Sequence, residues 1–341
     1  MKKEILKFLV LFITGIVILG IIVISVGIEN IIISLNKMSI YYYGVVATLI
    51  LAGSFTWALR WGVFVKEAKS DINKKDLFEM TLIGQAVNNL TPIVKMGGEA
   101  ARVYLLKKNQ KIKAKDGFAS VASDLTMEFI IDLIIVISAL VLLIIFFNPP
   151  TWIYAAILIF TIVSSLIVFV ILEIYFNFTI IHRILIFITD HIKSIKTEES
   201  EIIKKYDKFR KTFRKSLTNK RLLSKGLGLS FLRKVFDVMK YYILLAALGA
   251  PLNLTSIFIA VGLSIMLLLI PGIPGNIGIY EGGMIAVFSF MGVSSSIAFT
   301  AVFLDRLIWY WGITGIGSML GAKYGMELIS KKRSKKNLEN L

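Results

Sequence analysis

The chain has 341 residues, 56% of them hydrophobic, and a formal net charge of +17. Soluble globular domains are about 45–50% apolar, whereas here the excess collects in runs of about 20 residues, the length that crosses a bilayer; the composition therefore excludes an ordinary soluble domain and predicts an all-α polytopic membrane protein. Cysteine is absent and only 2 histidines occur, which excludes disulfides and Cys-based metal sites and predicts no metal centre and no cofactor.

Six hydrophobic segments are long enough to cross the membrane as helices. They cover about residues 8–28, 41–65, 117–147, 151–172, 226–248 and 296–322. The first segment is longer than the apolar core of a signal peptide and is not followed by a small-residue cleavage site, so we interpret it as an uncleaved span.

Lysine and arginine are concentrated in the N-terminus, in a polar loop over about residues 175–225 and in the tail, residues 323–341. Basic residues accumulate on the cytoplasmic side of membrane proteins, so both termini and this loop are predicted to face the cytoplasm of a multi-pass cell-membrane protein. This distribution accounts for the net charge without a soluble basic domain, and we predict no nucleic-acid partner.

Two further hydrophobic stretches, residues 77–106 and 254–291, would each begin and end on one side of the membrane in this topology. The first is interrupted by Pro92 and a glycine pair, and the second by the run Pro-Gly-Ile-Pro-Gly. We predict two opposed re-entrant helical hairpins, because broken backbone at membrane depth needs surrounding protein or a water-filled cavity. Opposed broken elements suggest an inverted repeat with a binding site between its halves, within one integral membrane domain over residues 1–341.

The tip of the first hairpin carries a candidate phosphate site. Gly97 and Gly98 open a helix whose free N–H groups and positive dipole suit an anion. Arg102 lies one turn farther along with a guanidinium suited to bidentate phosphate contacts, and Lys95 adds a point charge. The alternative is that Glu99 and Arg102 form an i,i+3 pair in an ordinary helix; we favour the phosphate site, because polar groups within a bilayer are costly and usually functional.

The tip of the second hairpin is also predicted to line a site. Its prolines and glycines free N–H and carbonyl groups of the backbone, and its polar residues are Asn276, Tyr280 and Glu281, with Gly278 among them. A simple kink is the alternative reading for either proline alone. Arg306, within the last span, requires a partner at that depth.

Polar residues at a spacing of four form a row on one face of the third predicted span. The row reads Asp116, Ser120, Asp124, Glu128 and Asp132, and we call it the carboxylate row. Each carboxylate costs roughly 3 kcal/mol at mid-bilayer unless it is paired or hydrated, so the row predicts either the acidic wall of a cavity, with a path for protons or cations, or internal ion pairing. The candidate partners for such pairing are Arg233 and Lys240 on the fifth span, which share a face with Asp237, and Arg306 on the last span. The two interpretations are compatible.

Apolar residues recur at helical spacing through the basic loop. They include Ile202, Tyr206, Phe209, Phe213 and Leu217. This pattern predicts an amphipathic helix, either solvated or lying on anionic lipid headgroups, and we favour the headgroups.

Two motifs resemble a known family. The sequence P-x-x-x-x-G-G-E-x-x-R at residues 92–102 resembles the first signature of the lysylphosphatidylglycerol synthase/flippase transmembrane family. The run LIPGIPGNIGIYEGGM, with the arginine of FLDRLIWYW, resembles its second signature. The resemblance covers nearly the whole chain and implies lipid handling without the soluble aminoacyl-transfer domain. The residues carried over are Gly98, Glu99, Arg102, Pro274, Gly278, Glu281 and Arg306.

Catalytic motifs are absent: we find no Walker A sequence, no G-x-S-x-G and no H-E-x-x-H. We therefore predict a protein that is not an enzyme and that handles membrane lipids, in the manner of a flippase for a phosphate-bearing amphiphile. The alternatives are an enzyme or accessory subunit for lipid-linked sugars, a solute or ion transporter, and a scaffold that recruits cytoplasmic partners. No oligomeric state is predicted.

Overall fold

A computed structural model of the chain describes residues 28–36, 38–67, 72–91, 97–147, 149, 151–176, 178–180, 199–268 and 274–338, together with positions 20, 24 and 183. Within these ranges every regular element is a helix and none is a strand. The predicted all-α class is confirmed.

The described ranges contain α1 (Ile28–Asn36), α2 (Ile40–Val65), α3 (Lys74–Leu90), α4 (Gly97–Asn109), α5 (Ala114–Phe146), α6 (Thr151–Phe176), α7 (Glu199–Thr218), α8 (Lys220–Ala247), α9 (Leu254–Leu268), α10 (Ile279–Phe290), α11 (Ser295–Asp305) and α12 (Ile313–Leu338). A 3₁₀ turn, Pro274–Asn276, precedes α10, and a π-helical segment, Arg306–Gly312, joins α11 to α12.

Four helical segments are long and apolar enough to cross a membrane. They are Ile40–Val65, Ala114–Phe146, Ile157–Phe176 and the continuous segment Ser295–Gly325. These segments coincide with four of the predicted spans, and the chain is a polytopic membrane protein. The orientation of the termini stays a prediction.

The two remaining predicted spans have different outcomes. The predicted fifth span is helix α8, which contains too many charged residues to qualify as an apolar span. The reason is visible in the bundle, where its central charges pair with carboxylates of neighbouring helices. The predicted first span, residues 8–28, lies outside the described residues except at positions 20, 24 and 28.

Both predicted hairpins are pairs of helices that fold back on each other. In the first pair, the Gly98 N–H donates to Asn88 Oδ1 at 2.7 Å, which joins the start of α4 to the end of α3. In the second pair, Asn276 Nδ2 donates to the Leu267 carbonyl at 3.3 Å. Pro92 at the first tip and residues 271–273 at the second lie outside the described residues. The position of either hairpin in a bilayer, and their relation by an inverted repeat, stay predictions.

The predicted amphipathic helix of the basic loop is α7, but its apolar face covers the bundle. Phe213 and Leu217 are buried against Phe64 and Met127. Phe213 and Leu217 therefore pack on protein rather than in the lipid headgroups, and contact of α7 with anionic lipid stays a prediction. Tyr206 of α7 also contacts the bundle: burial, reinforced by the neighbouring carboxylate of Glu173, raises the pKa of Tyr206 to about 12.

The close approach of α3 and α4 depends on Gly98, and this gives a first prediction. A Cβ at Gly98 would lie 2.0 Å from the Gly84 carbonyl oxygen and 2.6 Å from the Asn88 side chain. We expect Gly98→Ala to lower the free energy of unfolding by about 1–3 kcal/mol, because backbone must shift to admit the methyl group. Thermal unfolding in detergent, followed by circular dichroism, measures this effect.

The matched control is Gly44→Ala on α2, where a Cβ would meet nothing within 4 Å. Gly44→Ala should not destabilise the protein, because alanine favours a helix by about 1 kcal/mol over glycine. Equal unfolding temperatures for Gly98→Ala and Gly44→Ala would contradict the tight contact between α3 and α4.

Candidate functional site

A buried arginine organises the charges between α2, α5 and α8. Arg60, only 1% exposed, contacts Asp124 through Nε at 2.6 Å and Glu128 through Nη2 at 2.8 Å. Its Nη1 donates to Ser230 Oγ at 3.1 Å. Arg60 was not among the residues predicted from the sequence, although it is the lone charge within the apolar run of α2.

Arg102 is also paired within the protein. Its Nε and Nη2 contact Glu99 Oε2 at 3.2 and 2.9 Å, and its Nη1 contacts Asp124 Oδ2 at 2.8 Å. The guanidinium lies 5.2 Å from the ring centre of Trp57 and 4.9 Å from that of Trp61. All three guanidinium nitrogens thus contact carboxylates, as in the predicted alternative of an internal pair with Glu99.

The start of α4 is occupied by hairpin contacts. The Gly98 N–H, one of the groups predicted to hold a phosphate, donates to the side chain of Asn88. A Cβ at Gly97 would lie 2.7 Å from the Thr91 side chain. In this conformation both glycines serve the packing of α3 against α4. Lys95 lies outside the described residues.

Three carboxylates of the row, Asp124, Glu128 and Asp132, pair with cations from α2, α4 and α8. Arg233 contacts Glu128 through Nη1 at 2.7 Å, and Arg233 was one of the predicted partners of the row. Asp132 contacts Lys234 at 2.6 Å, a partner that was not predicted. The suggested pairing of the row with Lys240 is wrong, because Lys240 lies six residues beyond Lys234, about 9 Å farther along α8.

A second set of charges, which we call the lysine–aspartate cluster, consists of Lys234, Lys240, Asp132, Asp237 and Asp305. Two of its contacts are short and buried: Lys234 to Asp132 at 2.6 Å and Lys240 to Asp305 at 2.7 Å. The Asp237 carboxylate lies between the two lysines, 3.9 Å from Lys234 and 3.8 Å from Lys240. Each lysine thus has one tight and one loose carboxylate.

A cavity of about 130 Å³, which we call the central cavity, lies beside this cluster. Its lining includes Trp57, Gln85, Asn88, Asn89, Glu128, Asp132, Arg233, Lys234, Asp237, Lys240, Tyr241, Tyr280, Asp305 and Trp309. The volume is close to the roughly 150 Å³ that accommodates a benzene molecule, so a phosphate group fits. Apolar residues of α9, among them Val261 and Ile265, complete the wall.

Gln85 of α3 lines the central cavity and carries a buried amide donor. Its amide nitrogen Nε2 is buried and has no hydrogen-bond partner among the described residues, while its carbonyl oxygen accepts from Ser54 at 3.4 Å. A buried amide donor without a partner costs about 1–3 kcal/mol, a cost that a bound acceptor group would remove. The sequence carried no signal for Gln85.

The tips of the two hairpins meet at Tyr310, in the π-helical segment. The Tyr310 hydroxyl donates to the Asn89 carbonyl at the first tip, over 2.8 Å. At the second tip, its ring lies so close to Gly275 that a Cβ there would be 2.2 Å away. Gly275 has a φ of +64°, a conformation that glycine adopts without strain. π-helical turns are frequent at functional sites.

Arg306 connects the same segment to the second hairpin. Its Nε contacts Glu281 Oε1 at 2.6 Å, and its Nη2 donates to the Gly275 carbonyl at 2.8 Å. The other carboxylate oxygen of Glu281 accepts the Gly278 N–H at 2.6 Å. Arg306 therefore finds its required partner in Glu281 and not in the carboxylate row, because α10 brings the Glu281 carboxylate within 2.6 Å of its guanidinium.

The structure divides the predicted site residues into three groups. Those that line the central cavity are Glu128, Asp132, Arg233, Asp237, Lys240 and Tyr280. Those that shape the second hairpin beside it are Asn276, Gly278, Glu281 and Arg306. Those engaged in packing and ion pairs away from its lining are Gly97, Gly98, Glu99, Arg102 and Asp124.

Comparison with known proteins gives matches over almost the whole chain. Residues 5–317 match a family model described as the lysylphosphatidylglycerol synthase TM region. A UPF0104 membrane protein of Methanothermobacter thermautotrophicus is 28% identical over 333 residues, 96% of this chain and 98% of that protein. A UPF0104 membrane protein of Pyrococcus horikoshii is 28% identical over 95% of this chain and 99% of that protein. A UPF0104 membrane protein of Methanocaldococcus jannaschii is 26% identical over 91% of this chain and 93% of that protein.

Proposed function

The chain belongs to the family of the lysylphosphatidylglycerol synthase transmembrane region, and from this membership we propose that it moves phosphate-bearing amphiphiles between the leaflets of a membrane without chemical change. The observation that carries the proposal is the central cavity, which places two buried lysines and an arginine around a space of about 130 Å³. A lipid transporter needs such a polar interior site to carry a headgroup through the apolar core of the bilayer.

Three cations on α8 would bind the headgroup. Arg233, Lys234 and Lys240 all line the central cavity, and Lys234 and Lys240 are 7% and 6% exposed. Ammonium and guanidinium groups form charge-assisted hydrogen bonds with phosphate oxygens, and these bonds are stronger than neutral ones. We therefore assign binding of the headgroup phosphate to these residues of α8 and not to Arg102.

Transport also requires that the site open to each side in turn. In the present conformation Tyr310 contacts both hairpin tips, and Arg306 holds the second tip through Gly275 and Glu281. Alternating access around a midplane site would separate these tips. The π-helical segment that carries both residues is a natural place for that rearrangement, since its hydrogen bonding already departs from the α-helix.

The exposed basic side of α7 would hold the protein against anionic lipids. Lys211 and Lys215 are exposed on this helix, beside the partly buried Arg214. Each such side chain contributes about 1 kcal/mol of attraction near an anionic surface. This role uses the charges of α7, whereas its apolar face packs on the bundle.

Purified protein in liposomes tests the proposed function. The liposomes carry phosphatidylglycerol with a fluorescent acyl chain, and a membrane-impermeant reductant bleaches the outer leaflet. We expect bleaching to extend to the whole lipid pool with protein and to stop at the outer leaflet in protein-free liposomes, because only a transporter exposes inner-leaflet lipid.

Bleaching that stops at the outer leaflet in both preparations, with and without a pH gradient, would contradict the proposal. Uptake of inorganic phosphate without lipid movement would favour the solute-transporter alternative instead.

A further inference from the structure

We propose that Asp237 is a tethered counter-ion that occupies the position of the substrate phosphate and must leave before a headgroup binds. The ligand that replaces it is a phosphodiester with a single negative charge. This inference rests on the proposed function, and it makes Asp237 the residue that controls the affinity of the site for the headgroup.

The contacts of Asp237 differ from those of its neighbours. Asp132 and Asp305 are held at 2.6 and 2.7 Å by Lys234 and Lys240, with side chains 13% and 2% exposed. Asp237 lies at 3.9 and 3.8 Å from the two ammonium groups, and its side chain is 35% exposed. Partly exposed ion pairs at such distances contribute at most about 1 kcal/mol, so Asp237 is the carboxylate that leaves at least cost.

Asp237 also has room to move. It borders the central cavity and, on its other side, a pocket of about 20 Å³ against α2. That pocket is lined by Gly53 and Ser54 and also by Arg233 and Lys240, and a Cβ at Gly53 would meet nothing within 4 Å. The carboxylate can therefore turn away from Lys234 and out of the central cavity while it stays beside Arg233 and Lys240.

Charge balance indicates which ligand fits. The lysine–aspartate cluster contains two lysines and three aspartates, so the two tight pairs are neutral by themselves and Asp237 adds one negative charge. A monoanionic phosphodiester restores that charge when Asp237 withdraws, and it presents two unesterified oxygens toward two ammonium groups, as the carboxylate does. A dianionic phosphate would add one more buried negative charge than Asp237 itself supplies, and an uncompensated buried charge is costly.

A tethered competitor weakens binding of the free ligand, because the site is available only in the fraction of molecules in which the competitor has left. Removing its charge should therefore tighten binding. We expect Asp237→Asn to lower the Kd for a soluble phosphodiester lipid about tenfold, which corresponds to about 1.4 kcal/mol. Asp237→Ser should act in the same direction.

The experiment uses the full chain in detergent and dihexanoyl phosphatidylglycerol as the probe. Binding is followed by calorimetry and by intrinsic tryptophan fluorescence, to which Trp57 and Trp309 of the cavity lining contribute. Asp116→Asn is the matched control, since Asp116 lies on α5 outside the cavity lining. Dihexanoyl glycerol, which has no phosphate, and inorganic phosphate separate the contributions of the acyl chains and of a free anion.

Tighter binding of the phosphatidylglycerol probe to Asp237→Asn and Asp237→Ser, with Asp116→Asn unchanged, is the expected result. Probe binding that is equal or weaker in both Asp237 variants, while the wild type still binds the probe and moves lipid in liposomes, would overturn the tethered role and leave the proposed function intact. An equal gain for inorganic phosphate would overturn the choice of a phosphodiester. No binding to any variant would overturn the inference, and the liposome assay then decides the proposed function separately.

Discussion

Replacing Arg60 with methionine is expected to lower the free energy of unfolding by about 3–5 kcal/mol, because Asp124 and Glu128 keep Arg102 and Arg233 but their buried network is left with one uncompensated negative charge. Arg60 is the shared partner of Asp124 and Glu128, which are 0% and 6% exposed. Methionine fills a similar volume, so the lost charge rather than a cavity dominates. Unfolding in mixed micelles with increasing sodium dodecyl sulfate, followed by circular dichroism, measures the change.

An exposed pair provides the comparison for Arg60. Lys215 contacts Glu67 at 3.2 Å, with side chains 70% and 35% exposed, and Lys215→Met should cost at most about 1 kcal/mol. If Arg60→Met destabilises the protein no more than Lys215→Met does, the charge network around Asp124 does not hold the bundle together.

The second large effect is expected in transport. Changing Lys240→Gln together with Asp305→Asn removes one of the two ammonium groups at the central cavity along with its tight partner. The double variant leaves no uncompensated charge in that pair. In the wild type the Tyr241 hydroxyl donates to Asp305 at 2.9 Å, and the amide oxygen introduced by Asp305→Asn can still accept this hydrogen bond. The protein should therefore fold, which separates this change from simple destabilisation.

We expect the double variant to move fluorescent phosphatidylglycerol at least tenfold more slowly than the wild type in liposomes. A hydrogen bond to a charged group contributes about 1.5–3 kcal/mol, which corresponds to roughly 10–100-fold in affinity. The control is Lys75→Gln with Glu79→Gln, an i,i+4 pair at 4.0 Å with an exposed lysine. Transport by the Lys240–Asp305 variant at the rate of this control would place the headgroup site elsewhere.

The ion pairs of Arg102 affect how a substitution at this residue can be interpreted. Its position after the glycine pair favoured a phosphate contact, yet its guanidinium nitrogens contact Glu99 and Asp124. A loss of transport in Arg102→Ala would report the broken ion pairs as much as a lost headgroup contact. The paired substitution at Lys240 and Asp305 avoids that ambiguity.

The sequence by itself determined the membrane class, four described spans and the two interrupted stretches that form folded-back helix pairs. These are local properties: the length of an apolar run and the presence of proline and glycine within it decide them without reference to the rest of the chain. The spacing of Asp124, Glu128 and Asp132 likewise placed them on one face of α5, because a helix repeats every 3.6 residues.

Only the tertiary structure decided which charges meet. Whether Asp132 faces Lys234 or Lys240 depends on the relative height and rotation of α5 and α8, which a helical pattern in either segment leaves free. Arg60 became a central residue for the same reason, since nothing in α2 alone indicates that two carboxylates of α5 lie opposite it. The central cavity arises where several separately predicted elements leave space between them, so its lysines could be recognised only once those elements were packed together.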